Sequence, residues 1–359
     1  MIRKLYTRVS AVFLTAGLLV AGLEIGAGLI YSHLFDDLVA LIEGSPYFAT
    51  RPWAKTYHEE FTRLTRAMKY HPYTIWRFPP FQGRYINTDE EGTRVTPGSC
   101  QSPRVWLFGG STMWGFGAPD DGTIAAHVQR LAPAEECVRN FGQLGYTSTQ
   151  GVITLESELR KGRRPRLVIF YDGVNDISAA VLYRQPGLHM FVPEVAEKLE
   201  HPFSIKNWMT WSNQFRLLRR LTKRLPTMPP QPDAIADMVV AGWLENYRIV
   251  QALATAYRFS AVFFWQPTVL TGRRPLLGAE VEPRGFGSDP NLKSLFQRVQ
   301  ERVNLRTRDT PGLYDLTGSL DGYRGHAYLD WHHLTPEANE VVAKTMFRTV
   351  GNQLVRSTR

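Results

Sequence analysis

The sequence predicts an α/β fold, a parallel sheet covered by helices on both faces and preceded by an apolar amino-terminal helix. Three observations lead there. From Val105 onward, apolar runs of about five residues alternate with segments of helical period, the pattern of strands buried on both faces. Before them, Val9 to Tyr31 runs apolar with one charge, Glu24, long enough for the ~20 residues that cross a bilayer. Finally, 43% apolar and 21% charged residues in a 359-residue chain exclude a disordered, collagenous or wholly membranous protein. Against ~150 residues per domain, the length suits about two units, which one α/β domain with insertions also satisfies.

Taken in order, residues 1–35 read as a cytoplasmic tip and a transmembrane anchor, with a cleaved signal peptide and a buried amphipathic helix as the alternatives. Arg3, Lys4 and Arg8 precede the apolar run, while Asp36, Asp37 and Glu43 follow it. The positive-inside bias therefore leaves the amino end in the cytoplasm and exports the rest, into the periplasm if the cell is bacterial. A carboxylate at Glu24 is costly in mid-bilayer, so it is expected near the outer interface or paired with a partner helix. Residues 36–99 are aromatic and proline-rich without a clean period, as in Trp76-Arg77-Phe78-Pro79-Pro80. They read as a linker and amino-terminal extension that packs on the domain, with a short strand or two.

Residues 100–359 form the main domain. Strands are predicted at Val105–Phe108, Cys137–Phe141, Leu167–Tyr171, Ala261–Trp265 and Leu313–Leu316. Helices are predicted at Thr123–Leu131, at Thr149–Lys161 with Gly162 as its stop, and at Pro336–Leu354. The interval 178–232 breaks the alternation, ends in Pro226-Thr227-Met228-Pro229-Pro230-Gln231-Pro232, and reads as a helical insertion over the strand ends. Within it, Arg216 to Leu225 is a basic amphipathic stretch, suited to a solvated helix face or to an anionic membrane surface. The net charge of +9 is spread along the chain without a nucleic-acid-binding motif, so no nucleic-acid partner is expected. Two cysteines exclude a disulfide-rich scaffold and a four-cysteine zinc site.

Four segments carry possible chemistry. Ser111 follows a strand and two glycines, at a helix start whose N–H groups favour an anion. The same residues also suit a plain Gly-Ser turn. The segment is not a phosphate loop, because no Gly-Lys-Ser/Thr follows, and Met113 stands where a Gly-x-Ser-x-Gly elbow needs its second glycine. Gly145, after the second strand, could present an unhindered N–H, or simply make a turn. Gly173-Val174-Asn175-Asp176 follows the third strand, where the Asn175 amide could serve an oxyanion or a turn. Asp330-Trp331-His332-His333 precedes the last helix, and an aspartate three residues before a histidine can orient its imidazole. An Asp and two His could instead bind a metal, but no glutamate at a suitable spacing completes a catalytic zinc site.

In this order and placement the four blocks resemble the SGNH (GDSL-like) hydrolase family over roughly Val105 to Leu354, the insertion excepted. Two positions depart from its pattern: Gly110 replaces the aspartate that usually precedes the serine, and Ala338 stands where a glycine often follows the histidine block. The resemblance implies a three-layer α/β/α sandwich with a flavodoxin-like sheet and a site at the carboxyl ends of the strands. It implies Ser111, Asp330 and His333 as catalytic residues, and Ser111, Gly145 and Asn175 as oxyanion-hole donors. No cofactor and no metal are implied. It also sets the first two strands side by side, so that Cys100, just before the first, and Cys137, at the start of the second, are a disulfide candidate in an oxidising compartment. The activity implied is that of a membrane-anchored serine esterase on an O-acylated glycan or small ester. An O-acyltransferase with the same residues and a non-catalytic envelope component are the alternatives.

Overall fold

The structure, a computed structural model, describes residues 2–35, 45–133, 135–185, 187–189, 192–204, 209, 212–222, 231–277, 280 and 290–355. Asp36, Asp37, Glu43, Lys223 to Leu225 and residues 226–230 of the proline-rich run lie outside them. The chain divides into two compact units. One joins Met1–Leu41 to Phe191–Leu225, and the other holds Ile42–Met190 and Pro226–Arg359.

In the first unit, helix α1 (Ile2–Phe35) contains one stretch, Tyr6–Gly28, long and apolar enough to cross a membrane. The second unit begins with α2 (Pro46–Ala49) and α3 (Ala54–Arg66), then the short strands β1 (Lys69–His71), β2 (Ile75–Arg77), β3 (Phe81–Gln82) and β4 (Asn87–Thr88). The α/β alternation follows: β5 (Val105–Gly109), α4 (Ser111–Trp114), α5 (Ile124–Leu131), β6 (Val138–Asn140), α6 (Ser148–Arg160), β7 (Leu167–Asp172) and α7 (Val174–Tyr183). Helices α8 (Val192–Glu200) and α9 (Asn213–Thr222) belong to the first unit. The second unit resumes with α10 (Pro232–Tyr257), β8 (Ser260–Trp265), α11 (Pro290–Asp309), β9 (Leu313–Asp315) and α12 (Pro336–Val355).

The sheet is five-stranded and wholly parallel, in the order β6-β5-β7-β8-β9. Counting from β5, this is 2-1-3-4-5, the doubly wound flavodoxin-like order. Period-two alternation sends successive side chains to opposite faces. On one face Phe141, Phe108, Phe170 and Phe263 form a ladder of near-parallel rings 4.9, 5.0 and 4.3 Å apart, over which Leu155 of α6, Trp243 of α10 and Phe296 of α11 are buried. On the other, Leu107, Ile169 and Phe264 pack with Val128 of α5 and Met346 of α12. Two helical layers on one parallel sheet make the three-layer α/β/α sandwich.

The segment that segregates from this sandwich is Phe191–Leu225, shorter than the 178–232 interval read as an insertion. Ile177, Ala180 and Val181 continue α7 into the core, and Ile235, Val239 and Trp243 of α10 are buried there too. The amino-terminal extension holds more order than a linker with a strand or two. Tyr57, Phe61 and Leu64 line the buried face of α3, and its buried Glu60 accepts backbone N–H bonds from Arg84, Tyr85 and Ile86 at 2.5–3.0 Å. The buried Arg94 Nε donates to Asp120 Oδ1 at 2.6 Å, and Asn87 Nδ2 donates to Asp120 Oδ2 at 2.7 Å, clamping the extension to the loop after α4.

Cys100 and Cys137 are joined by a disulfide, with Cα atoms 5.5 Å apart and a sequence separation of 37. Closing a loop of that length restricts the unfolded chain by about 3–4 kcal/mol in the chain-entropy account. The Cys100→Ser/Cys137→Ser variant is therefore expected to unfold at a clearly lower urea concentration than the oxidised protein. Equal midpoints would show that the loop closure adds no stability.

Candidate active site

The strand order switches between β5 and β7, and in open α/β sheets such a switch point leaves a crevice at the carboxyl ends of the strands. The loops after β5, β6 and β7 carry Ser111, Gly145 and Asn175. Ser111 opens α4, with Gly110 as its N-cap and Gly115 in the left-handed region at its end, φ +95°. At the first turn of a helix the backbone N–H groups have no intrahelical acceptor.

Ser111 Oγ lies 2.8 Å from His333 Nε2, across 222 residues of sequence. His333 Nδ1 lies 2.6 Å from Asp330 Oδ2. The other carboxylate oxygen accepts the backbone N–H groups of His332 and His333, at 2.8 and 2.7 Å. Asp330 is thus held by its own loop and aimed at one ring nitrogen. Burial raises its carboxyl, but the two adjacent imidazoles and these N–H bonds outweigh that and hold it well below the usual carboxylate range. The Phe116 ring packs 4.2 Å from the His333 ring and covers it.

The His332 ring packs tilted against both Trp331 and His333, with ring centroids 4.2 and 3.8 Å away. Burial, reinforced by His333, pushes it down to about 3 against the pull of Asp330, so its ring is neutral at ordinary pH. Asp330, His332 and His333 offer ligand atoms within 4.8 Å of one another. Both His333 nitrogens already face partners, Asp330 and Ser111. A cation would have to break one of those bonds, so this donor set fits a proton relay better than a metal.

Asn175 Nδ2 donates to the Tyr146 carbonyl at 2.9 Å, which ties the loop after β7 to the loop after β6. Gly145, at φ +69°, precedes that carbonyl in a conformation that disfavours any side chain. A second tie lies beneath. Asp176 Oδ1 accepts from the Ser148 hydroxyl at 2.6 Å and from its N–H at 3.2 Å, and Asn246 Nδ2 donates to the same hydroxyl at 2.8 Å. Burial pushes Asp176 up to about 6, while the Ser148 bonds pull it back. Neither Ser148 nor Asn246 was legible as a supporting residue in the sequence. Asp176 carried a signal, as the acid directly after Asn175 at a strand end.

Gly110 explains a departure from the family pattern. A Cβ there would stand 2.3 Å from Asn175 Nδ2 and 3.1 Å from the Tyr146 carbonyl. Its φ of −83° is open to any residue, so the constraint is space. Ala338, the second departure, is fully buried, and its N–H donates to Thr335 Oγ1 at 3.2 Å in the first turn of α12.

No family model matches this chain, and no curated protein matches it. Solved structures do. A lipolytic protein of the G-D-S-L family from Veillonella parvula is 10% identical, with 69% of this chain and 97% of that one covered and a TM-score of 0.39. A carbohydrate acetylesterase family member from Sinorhizobium meliloti is 13% identical over 70% and 99%, TM-score 0.38. The C-terminal catalytic domain of peptidoglycan O-acetyltransferase A from Streptococcus pneumoniae is 10% identical over 70% and 94%, TM-score 0.33. On its own sequence and coordinates, the chain has the parallel 2-1-3-4-5 sheet and, at its strand ends, the Ser, Gly, Asn and Asp-x-x-His blocks in the order of the SGNH (GDSL-like) hydrolases.

Proposed function

We propose that the chain is a serine esterase that removes an O-acyl group from a glycan or a small ester through an acyl-enzyme on Ser111. The observation that carries this reading is the unbroken relay Ser111–His333–Asp330, with links of 2.8 and 2.6 Å. His333 Nε2 takes the proton as Ser111 Oγ adds to the acyl carbonyl, and the ionised Asp330 steadies the imidazolium. The oxyanion accepts from the Ser111 and Gly145 N–H groups and from the Asn175 amide. His333 then returns the proton to the departing alcohol, and water, deprotonated by the same ring, releases the acid.

A cavity of about 450 Å³ beside the amino end of α12 is lined by Tyr47, Trp53, Tyr85, Arg84, Asp121 and Glu337 and by none of Ser111, Asn175 and His333, so the glycan reading rests on the catalytic relay and not on this cavity. Anchoring by α1, with the second unit on the extracytoplasmic side, follows from Arg3, Lys4 and Arg8 ahead of the span.

Incubation with an acetylated oligosaccharide and an unacetylated acceptor sugar tests the reaction class. Free acetate accumulating without acylated acceptor is the expected result. Acylated acceptor as the main product would make the protein a transferase, and loss of neither acetyl group nor ester probe would leave it a non-catalytic component.

A further inference from the structure

Two features stand outside the catalytic reading: the carboxylate within the apolar stretch, and the cationic segment within the interruption of the α/β alternation. They meet inside the first unit. The Glu24 carboxylate accepts from the Ser212 hydroxyl and, at 2.6 Å, from the Asn213 backbone N–H. Asn213 Nδ2 donates to the Glu24 carbonyl at 3.3 Å. Ser212 Oγ in turn accepts from the Phe215 N–H at 3.3 Å. Ser212 is thus the N-cap of α9, and the Glu24 carboxyl oxygens accept from the N–H end of that helix. The approach is close, since a Cβ on Gly28 would stand 2.8 Å from Asn213 Nδ2.

Glu24 lies four residues before the end of the apolar stretch Tyr6–Gly28, about 6 Å along the helix axis. A helix that starts there starts at the membrane interface. From Asn213 to Leu225 the chain carries Arg216, Arg219, Arg220, Lys223 and Arg224 and no acid. Arg216, Arg219 and Arg220 recur at i, i+3 and i+4, the spacing of one helix face. The same unit leaves Leu218 57% and Phe203 99% exposed, which suits side chains resting in the headgroup boundary of a bilayer.

We propose that α9 is an interfacial helix, capped by Glu24 at the outer end of the anchor, whose cations bind the phosphate headgroups of anionic phospholipids. This rests on α1 spanning the membrane. Glu24 is then a structural residue of the membrane-bound unit, and the insertion is tied to the bilayer as well as to the chain.

The test uses the full chain in lipid nanodiscs, with a nitroxide on Leu218→Cys, the two native cysteines being joined. Accessibility to an aqueous nickel chelate is compared with accessibility to oxygen. In discs containing phosphatidylglycerol the label is expected to be shielded from nickel. Each cation near an anionic surface contributes about fivefold to partitioning. Arg216→Gln/Arg219→Gln/Arg220→Gln is therefore expected to reduce the shielded population on the order of 100-fold. Discs of phosphatidylcholine alone should act in the same direction. Glu24→Ala is expected to expose the label while the protein stays in the disc. Equal nickel accessibility in all these samples would overturn the proposal, and thermal melts confirm that each variant is folded. Release of the wild-type protein by alkaline carbonate would overturn the anchor itself, and is read separately from label depth.

Discussion

Ser111→Ala is expected to abolish labelling by a fluorophosphonate probe and to lower kcat on short aryl esters by about 10⁴–10⁶, with its melting temperature near that of the wild type. Ser111 is half-buried and, among the described residues, its hydroxyl bonds to His333 Nε2, so its loss removes the nucleophile and little packing. His333→Ala should cost nearly as much. The double variant should be no worse than either, because the two groups act as one unit. Asp330→Asn would keep the loop geometry but present the wrong partner to His333 Nδ1, a change that costs a serine triad about 10⁴ in kcat. Steady-state kinetics on the same ester check all four proteins. A Ser111→Ala enzyme within tenfold of wild type would remove the acyl-enzyme mechanism altogether.

The second large effect is expected where the family pattern would suggest improvement. Gly110→Asp installs the residue that usually precedes the serine, and here it should impair the enzyme. The added Cβ falls 2.3 Å from Asn175 Nδ2, which is held by its bond to the Tyr146 carbonyl, and that carbonyl is itself only 3.1 Å from the new atom. Asn175 must move, and losing one oxyanion donor costs about 10²–10³ in kcat. Gly110→Ala isolates the steric part from the charge. It should lower kcat in the same range and leave KM little changed, because the donor acts on the oxyanion rather than on bound ester. Asn175→Ala should cost about as much alone, and adding it to Gly110→Ala should cost little more. Fully additive losses would show that the two positions act separately.

Much of the fold was legible because its signals are local. The strands at Val105, Leu167 and Ser260 are short apolar runs, each readable without knowing its neighbours, while those at Val138 and Leu313 are shorter and carry Arg139, Asn140 and Asp315. Helix α3 was missed although Tyr57, Phe61 and Leu64 do recur with helical spacing. The surrounding prolines and aromatics, and an acid at Glu60 on the buried face, obscure that stripe. Glu60 is buried because three backbone N–H groups more than twenty residues away need an acceptor. The interval read as an insertion from residue 178 begins inside α7, whose Ala180 and Val181 are buried in the core, because a break in alternation marks where the rhythm changes and leaves open which helix still packs on the sheet.

By itself, then, the sequence determined the alternation of strands and helices, the apolar anchor stretch, and the four blocks whose residue types allow acyl chemistry. Only the tertiary structure decided which of several ordinary turns converge. It brought His333 to Ser111 across 222 residues, placed Asn175 Nδ2 where a Cβ on Gly110 would meet it, and set Asp176 on Ser148 and Glu24 on Ser212. Periodicity is a property of neighbouring residues, whose spacing is set by the backbone. A hydrogen bond between distant segments depends on distances of a few tenths of an ångström, which exist only once the sheet has brought its loops together.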